Sequence, residues 1–475
     1  MKYEAEQINY SLLSPMMAAT LSLMDGKLSF RHLSMVVQYT HNFETLKQAQ
    51  EFVAQVIRSA NQENDAVVQM TSQVKPFIQC LDPFEFVVPP PEESGQCRPV
   101  APLTLNLMFS NDCQTSCGYC YAERRRVPPE RHLSSMRWIE IFREAHALGI
   151  EQVSLSGGDP LFRNDALDLI ADLIRLDMLF LLSTKCHVTR EMADRLVEIG
   201  MARPINQYTR EIQLSLDGPD PETADPMAGA PGFFERAMDS VRNLVGRGLN
   251  LRVKAVVTPF NAPRVYDFIR LMAVSGVEQV SVAAYSRTLY RHRDDMFLSE
   301  VERASIAQQC QKVQAEFPGL KLRLTGLASA AELQQQKVPA LPEGEQPNLD
   351  PETRRSIKEE KWRVRTHCSG GRSSMTITPD GKVVLCDTIP QEGEFVVGDA
   401  GRDSLAEIWN SQELLDFAYP PRERFAGSAC YDCPDLEGCQ RKAGYCFRDS
   451  YFNYGSAFAP PPLCPAAADD GMRMD

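Results

Sequence analysis

Strand and helix patterns alternate along residues 101–290, and this alternation limits the possible folds more than any other feature of the sequence. Strands are predicted near 103–109, 151–156, 178–183, 211–216, 251–257 and 278–284. Helices are predicted near 134–148, 164–176, 189–199, 232–247 and 262–275. Such alternation is typical of a parallel α/β sheet or barrel. In a barrel of this kind, we expect the chemistry at the carboxyl ends of the strands.

Three cysteines lie just after the first predicted strand, at Cys113, Cys117 and Cys120. Thiolates this close together can hold three corners of a cubane iron–sulfur cluster, which normally has four cysteine ligands. One iron would then have no protein thiolate, and an open position on a metal is what a catalytic site needs. A zinc knuckle or three unrelated thiols is the alternative that the triplet alone leaves open.

The composition favours a metalloprotein of a reducing compartment. With 475 residues, the chain is long enough for two to four domains. Its 14 cysteines accompany no recognisable secretion signal, which favours metal or redox chemistry over disulfides. No apolar run reaches the ~18 residues that a membrane span needs, and a net charge of −13 disfavours nucleic acid as the main partner. We therefore expect a cytoplasmic protein that binds neither membrane nor nucleic acid.

The first ninety residues carry a different pattern. Helices are predicted at 16–24, 29–39 and 45–60, followed by two short strands at 66–70 and 84–88. Three small helices and a two-stranded wing favour a winged-helix domain over 1–92. A packing domain without a ligand is the alternative. The proline-rich stretch 89–95 is predicted to be a linker.

The spacing of Cys113, Cys117 and Cys120, with an aromatic residue just before the last cysteine, resembles the radical S-adenosylmethionine (radical SAM) family. The resemblance implies a partial (β/α)6 barrel over residues 100–328. It also implies that the amino and carboxylate groups of SAM chelate the open iron, and that SAM cleavage yields a deoxyadenosyl radical. The winged-helix-like segment looks like the domain with which peptide-modifying members of this family hold the leader of their substrate.

Polar residues at the predicted strand ends match the SAM-binding positions of this family. Seven of them are candidates: Gly157, Gly158, Asp159, Ser183, Lys185, Ser215 and Asp217. The resemblance assigns the glycine motif to the SAM amino group and the others to its ribose or carboxylate. Serine and aspartate at such positions also serve as ordinary turn and cap residues. The family often has His-Asp-x-x-Arg-Gly further on, whereas residues 224–229 here lack the arginine, so Lys254 or Arg287 would have to supply its anchor.

Seven cysteines near the C-terminus have a spacing similar to the SPASM extension, which holds two auxiliary 4Fe–4S clusters. The resemblance assigns Cys430, Cys433, Cys439 and Cys464 to one cluster. It assigns Cys368, Cys386 and Cys446 to the other. An Asp-Gly turn at 380–381 predicts a hairpin that brings Cys368 and Cys386 together. The SPASM domain is expected at 367–475, after a charged bridging segment at 329–366.

Two features of this region depart from the family. Six residues separate Cys439 from Cys446, where three are usual, and no additional cysteine follows Cys368 within 369–374. The second cluster would therefore have three cysteines for four irons. The fourth ligand of this cluster would be a thiolate of the substrate, water, His367, Asp387 or an unassigned cysteine. Four cysteines match no motif and are expected to be inert: Cys80, Cys97, Cys186 and Cys310. A zinc ribbon is the alternative for residues 430–439.

Together, these motifs predict a radical SAM/SPASM enzyme with three 4Fe–4S clusters and SAM, supplied with electrons by a flavodoxin or ferredoxin. The expected substrate is a ribosomally made precursor peptide with a leader sequence, and the expected product is a thioether or carbon–carbon cross-link. One alternative is an anaerobic sulfatase-maturing type that oxidises Ser or Cys to formylglycine, for which Asp387 matches the position of a catalytic carboxylate. Another is a leader-binding scaffold without catalysis.

Overall fold

The computed structural model of the chain describes residues 15–24, 28–62, 98–122, 127–150, 152–205, 208–327, 355–356, 358–359, 362, 365, 368–441 and 444–467. The chain divides into two compact units, Met1–Cys97 and Arg98–Asp475. Within the described residues, no helix combines the length and the apolar character that crossing a membrane requires.

The first unit contains three helices, α1 (Pro15–Ser22), α2 (Phe30–Thr40) and α3 (Leu46–Gln62). The side chain of Ser29 accepts the N–H of His32 at 3.2 Å and so caps the start of α2. Apolar residues spaced by four along α2 and α3 share one buried core. All three helices lie close to their predicted positions. The two predicted wing strands, 66–70 and 84–88, lie outside the described residues.

The second unit is built on one sheet of ten strands. The strands are β1 (Thr104–Ser110), β2 (Gln152–Gly157), β3 (Leu179–Thr184), β4 (Glu211–Ser215), β5 (Leu251–Val257), β6 (Gln279–Ala284), β7 (Lys321–Thr325), β8 (Ser374–Ile377), β9 (Lys382–Val384) and β10 (Gly398–Asp399). Strands β1 to β7 are parallel neighbours in chain order, and β8 pairs in parallel with the free edge of β1. Strands β9 and β10 extend this edge in antiparallel pairs.

Helices connect and cover the strands of the second unit. They are α4 (Ser135–Ala147), α5 (Ala166–Arg175), α6 (Arg190–Glu198), α7 (Pro221–Ala228), α8 (Phe233–Val245), α9 (Val265–Val274), α10 (Glu300–Glu316), α11 (Leu405–Trp409), α12 (Gln412–Ala418), α13 (Leu436–Arg441) and α14 (Phe447–Tyr454). The six predicted barrel strands and five predicted helices are all present. The structure adds α7, α10 and β7, and β7 is a short strand with partly exposed side chains.

Strand β5 shows how the sequence separates the two faces of the sheet. Alternate apolar residues, from Leu251 to Val257, are buried in the core. The residues between them include Lys254 and Val256, which line a cavity on the other face. Because successive side chains of a strand point to opposite faces, one strand can pack a core and furnish a polar cavity.

The predicted hairpin forms from β8 and β9, with a turn at Asp380 and Gly381. Gly381 adopts a φ of 83°, which favours glycine. Pairing of β8 with β1 places the C-terminal region on the same sheet as the barrel. The hairpin therefore holds the segment that carries Cys386 beside the first barrel strand.

Candidate active site

A cavity of about 1010 Å³ lies where the parallel strands end. Its wall includes the cysteine triplet, the glycine motif, and polar side chains of β3, β4 and β5. Further along the chain, the loop after β6 and residues from 445 to 463 complete it. Residues that are far apart in the sequence therefore line one cavity. Its position agrees with the expectation that the chemistry lies at the carboxyl ends of the strands.

The cysteine triplet lies on residues 111–122, here called the cluster loop. The Sγ atoms of Cys113 and Cys117 lie 3.1 and 3.6 Å from the same hydroxyl oxygen, that of Thr115. The N–H of Cys120 donates to the carbonyl of Cys117 at 3.3 Å. None of the three is in a disulfide, and all three line the cavity. Three free neighbouring thiols at a cavity wall fit the ligand set of an iron–sulfur cluster with one open iron.

The glycine motif packs directly against the cluster loop. The N–H of Gly158 donates to the carbonyl of Ser110 at 2.6 Å, and the N–H of Asp159 donates to that of Asp112 at 2.8 Å. A Cβ atom at Gly158 would lie 2.1 Å from the Asp112 carbonyl oxygen. Glycine is therefore needed for close packing of the loop. Both glycines also line the cavity, but the N–H of Gly158 is already used within the protein.

Asp159 is buried, and protein donors occupy its carboxylate. It accepts the N–H of Leu161 at 3.0 Å, the Thr184 hydroxyl at 2.8 Å and the N–H of Lys185 at 2.7 Å. Burial raises the pKa of Asp159, while these donors oppose the shift. The sequence assigned Asp159 to SAM, but its carboxylate joins the end of β2 to the end of β3. The N–H of Asp159 holds the cluster loop through Asp112, and Asp159 also lines the cavity, so its contact with SAM stays a prediction.

Lys185 and Asp217 form a buried ion pair at 2.7 Å. The Asp217 carboxylate also accepts the Tyr119 hydroxyl and, at 2.8 Å, the N–H of Val256. Burial alone would lower the pKa of Lys185, but the Asp217 and Cys117 charges raise it overall. The pair connects β3, β4 and β5 to the cluster loop through Tyr119. Lys185 also lines the cavity, and the predicted contacts of both residues with SAM stay predictions.

Ser183 and Ser215 line the cavity at the ends of β3 and β4. The Ser183 hydroxyl accepts the side-chain amide of Gln213 at 3.0 Å. Gln213 also lines the cavity, two residues before Ser215, and Ser215 lies opposite Lys254 of β5. The two serines and Gln213 can therefore present hydroxyl and amide groups to a bound molecule.

Two supports of the cluster loop were not found from the sequence. The N–H of Ser116 donates to the carbonyl of Ala228 at 2.8 Å, at the end of α7. The next residue, Gly229, has a φ of 59°, and a Cβ there would lie 2.6 Å from the Ser116 carbonyl oxygen. Arg291 donates to the carbonyls of Ser116 and Cys117. Arginine in a loop after β6 gives no sequence signal for this contact, because the two segments are about 175 residues apart.

Lys254 and Arg287 are the cations that the sequence offered in place of the missing family arginine. Both line the cavity. Burial lowers the pKa of Lys254, and the Asp217 and Asp387 carboxylates oppose this shift. Arg287 donates to the side-chain oxygen of Asn453 at 2.9 Å, and its Nε atom is buried without a partner among the described residues. That unsatisfied donor fits the carboxylate of a bound molecule.

The seven C-terminal cysteines fall into the two groups that the sequence predicted. Burial raises the pKa of Cys430 to about 12, and the neighbouring thiolates of the same group contribute: Cys464, Cys433 and Cys439. These four residues are called the four-cysteine group. Burial likewise raises the pKa of Cys386 and of Cys446 to about 12, with a smaller contribution from Cys368 to each. These three are called the three-cysteine group.

Asp387 lies at the three-cysteine group, directly after Cys386. Burial raises its pKa, and hydrogen bonds from the side chains of Tyr121 and Asn106 oppose the shift. Tyr121 is the residue after Cys120, so this contact joins the cluster loop to the three-cysteine group. Asp387 is not among the cavity-lining residues, whereas Tyr121 is.

Of the four cysteines outside the motifs, the structure describes Cys186 and Cys310. The pKa of Cys186 and that of Cys310 are each raised to about 12 by burial. Cys80, Cys97 and His367 lie outside the described residues. In the described part of the chain, no three His, Cys, Asp or Glu side chains converge on a point where a single metal ion could be held. The geometry is that of neighbouring free thiols, and the assignment of clusters to them is taken up below.

Comparison with known proteins supports the fold and the cofactor class. Residues 107–272 match the Radical SAM superfamily, and residues 368–434 match an iron–sulfur cluster-binding domain, SPASM. The chain is 26% identical over 386 residues to PqqA peptide cyclase of Methylocella silvestris, covering 78% of this chain and 88% of that protein. It is 25% identical over 368 residues to PqqA peptide cyclase of Streptomyces rochei, covering 77% and 89%.

A solved structure has a similar fold. The crystal structure of Streptococcus suis SuiB bound to precursor peptide SuiA matches with a TM-score of 0.57 at 16% identity, covering 89% of this chain and 90% of that chain. At this identity the match concerns the fold alone. The predicted fold class, a radical SAM barrel with a SPASM domain, is confirmed, and so is the expectation of 4Fe–4S clusters and SAM as cofactors.

Proposed function

Because this chain carries a radical SAM domain and a SPASM domain, we propose that it is an enzyme that cross-links a ribosomally made peptide. The observation that carries the proposal is the shared cavity. The cavity is lined by the cluster loop, by polar residues near the ends of β3, β4 and β5, and by Cys446 of the three-cysteine group. A peptide segment bound in this cavity would contact the two sites that the reaction requires. One is the site where the radical is generated, and the other is a group that can accept an electron.

The similarity to PqqA peptide cyclases supports a peptide as the substrate, because a cyclase joins two positions of one chain. The match in fold to a protein bound to its precursor peptide is consistent with this. We assign leader binding to the first unit, Met1–Cys97, and transformation of the peptide to the second. An external flavodoxin or ferredoxin would supply electrons in the cytoplasm, where thiols remain reduced.

The cluster loop would hold the SAM-binding cluster through Cys113, Cys117 and Cys120. When bound, the cluster and SAM supply a radical that abstracts hydrogen from a substrate carbon. The protein holds this loop through Asp159, Ala228 and Arg291, whose contacts fix its backbone. Ser183, Ser215 and the cations Lys254 and Arg287 would orient the polar groups of SAM and of the peptide.

The choice between thioether and carbon–carbon bond depends on the three-cysteine group. A cluster of four irons in the three-cysteine group would need a fourth ligand. A substrate thiolate that supplied it would place the substrate sulfur beside the cavity, near Cys446. Such a sulfur is placed for attack by a carbon radical, and the cluster would accept the electron released as the S–C bond forms. We propose thioether formation for a substrate with a cysteine and a carbon–carbon link for one without it.

The experiment is anaerobic incubation of the reconstituted enzyme with SAM, dithionite and the peptide encoded beside its gene. A cross-link lowers the peptide mass by about two hydrogens without cleavage, and the enzyme forms deoxyadenosine. Substitution of each substrate cysteine by serine separates the two products, because a thioether is lost and a carbon–carbon bond is not. Absence of deoxyadenosine would leave the scaffold interpretation, and stoichiometric zinc in place of iron would contradict the cofactor assignment.

A second candidate function rests on Asp387. Its carboxylate accepts the Tyr121 hydroxyl beside the cavity wall and follows Cys386 directly. A carboxylate there would act as the base in oxidation of a Ser or Cys side chain to formylglycine. The aldehyde product reacts with hydrazine probes, whereas a cross-linked peptide does not. Asp387→Asn would abolish aldehyde formation if this function were correct.

A further inference from the structure

Three polar side chains that follow β6 form a hydrogen-bonded chain at the cavity wall. The hydroxyl oxygen of Tyr285 lies 3.1 Å from Nδ1 of His292, and Nε2 of His292 lies 2.9 Å from a carboxylate oxygen of Asp294. All three residues line the cavity, and His292 is the one histidine among its described lining residues. These three residues are called the β6 triad.

The directions of the hydrogen bonds in the β6 triad follow from what each group can donate or accept. The Asp294 carboxylate only accepts, so the proton of a neutral His292 ring lies on Nε2. Nδ1 is then an acceptor, and the Tyr285 hydroxyl donates to it. The Tyr285 oxygen also accepts the N–H of Arg293 at 3.4 Å and lies 3.5 Å from the Thr288 hydroxyl. Tyr285 can therefore pass its proton to a base that a third group orients.

Packing fixes the β6 triad and grades its contact with water. The planes of the Tyr285 and His292 rings are 8° apart, and the Phe297 ring centre lies 5.3 and 5.5 Å from theirs. Tyr285 is 3% exposed, whereas the side chains of His292 and Asp294 are 21% and 80% exposed. The triad therefore leads from a buried hydroxyl to a solvated carboxylate, as a path that carries a proton to water requires.

Other ionised groups near the β6 triad are paired within the protein. Asp159 accepts the three hydrogen bonds described above, and Asp449 forms an ion pair with Arg448 at 2.9 Å. Next to His292, the guanidinium of Arg293 donates to Asp295 at 2.9 Å. Histidine is the side chain that exchanges protons near neutral pH. The β6 triad is therefore the group of the cavity wall that can take up a proton without breaking an ion pair.

We propose that the β6 triad takes up the proton that the peptide loses when its cross-link forms, with Tyr285 as the residue that contacts the substrate. This assignment rests on the proposed function. A new S–C or C–C bond removes two hydrogens from the peptide. One leaves as a hydrogen atom to deoxyadenosine, and the other leaves as a proton and an electron. The electron passes to the cluster of the three-cysteine group. The proton passes to the Tyr285 oxygen while the Tyr285 proton passes to His292.

The test compares variants of the full chain, incubated anaerobically with SAM, dithionite and the peptide encoded beside its gene. Tyr285→Phe removes the hydroxyl but keeps the stacked ring, and His292→Ala removes the base. Each should lower the amount of cross-linked peptide per deoxyadenosine by about 10²-fold or more. A peptide radical should accumulate in both variants and be detected by electron paramagnetic resonance, because the step that consumes it is slowed. Added imidazole should restore cross-linking in His292→Ala, since the missing ring leaves a space beside Tyr285.

The matched control is His187→Ala, which removes a histidine that lies 2.8 Å from Asp239 and is not among the described lining residues. It should keep the parent ratio with and without imidazole. Iron content is measured first in every variant. The parent ratio in an iron-loaded Tyr285→Phe or His292→Ala variant would overturn the assignment, and so would a loss in His292→Ala that imidazole does not restore. A parent enzyme that forms deoxyadenosine but no cross-link would instead overturn the proposed function, so the two failures are distinguishable.

Discussion

The cysteines of the cluster loop and those of the C-terminal groups are exposed to the cavity to different degrees. All three cluster-loop cysteines line it, whereas Cys446 is the one member of the C-terminal seven among its described lining residues. Between the four-cysteine group and the cavity lie Arg365 and Tyr445, which also line the wall. A substrate can therefore approach the cluster loop and the edge of the three-cysteine group, but not the four-cysteine group.

This difference indicates what each group can do. The cluster loop is held by hydrogen bonds from several other segments, so its thiols are fixed while remaining accessible. None of the four-cysteine group is among the described residues that line the cavity, and burial raises the pKa of Cys430, Cys439 and Cys464. Thiols that line a cavity suit a cluster that must bind a small molecule. Thiols away from the cavity suit a cluster that exchanges only electrons.

The largest effect is expected from the cluster loop. Replacing Cys113, Cys117 and Cys120 by Ala removes every protein ligand of the SAM-binding cluster, so about four of twelve irons and all SAM cleavage should be lost. Iron analysis and deoxyadenosine measurement test this. The control is Cys310→Ala, since Cys310 packs in the hydrophobic core and lies near no other thiol. Retained SAM cleavage in the triple variant would contradict the assignment.

The four-cysteine group should behave differently. Cys430→Ala should remove one cluster and abolish peptide cross-linking, while SAM cleavage continues because the cluster loop is intact. The measurement is the ratio of deoxyadenosine to cross-linked peptide, which should rise steeply. Equal loss of both products would show that the two thiol groups do not have separate roles.

Removal of the first unit should affect the peptide but not SAM. Deletion of residues 1–90 should lower peptide turnover by about 10²-fold or more, because tethering the leader raises the effective concentration of the core peptide. Cleavage of SAM without peptide should remain, since the cluster loop and glycine motif lie in the second unit. A peptide without its leader is the control, and its turnover should be equally slow with both proteins.

The buried ion pair beneath the cluster loop should contribute to stability. Asp217→Asn leaves Lys185 as a buried charge without its partner, which should cost about 3–5 kcal/mol. The control is Asp239→Asn, whose ion pair with His187 is partly exposed and should contribute less than about 1 kcal/mol. Denaturant unfolding of both variants measures the difference. Similar losses would mean that the Lys185–Asp217 pair does not hold the loop.

The smallest effect is expected at the three-cysteine group. Asp449→Asn removes a carboxylate that acts on Cys446 and Cys368, and should raise the reduction potential of the cluster held by the three-cysteine group. Iron content and SAM cleavage should not change. A redox titration monitored by electron paramagnetic resonance measures the shift, with Asp416→Asn, a partly exposed acid on α12, as the control. A shift in the potential of the four-cysteine group instead would mean that Asp449 acts on the other cluster.

The strands of the barrel and the C-terminal hairpin could be predicted from the sequence, because they depend on local patterns. Alternating apolar residues mark β5, and the Asp-Gly turn marks the hairpin of β8 and β9. The grouping of the C-terminal cysteines came from the resemblance to the SPASM extension. A seventh barrel strand, Lys321–Thr325, was not predicted, because its five residues are short and only partly buried.

The roles of the polar residues needed the tertiary structure. Asp159 and Asp217 are predicted to bind SAM, and the structure adds that their carboxylates accept donors from neighbouring segments of the protein. Arg291 and Arg365 gave no signal in the sequence, because their partners lie about 174 and 74 residues away. The order of residue types along the chain determined the strands and helices and the places of the cysteines relative to them. Only the packing of distant segments decides which of those side chains hold the protein together and which face the cavity.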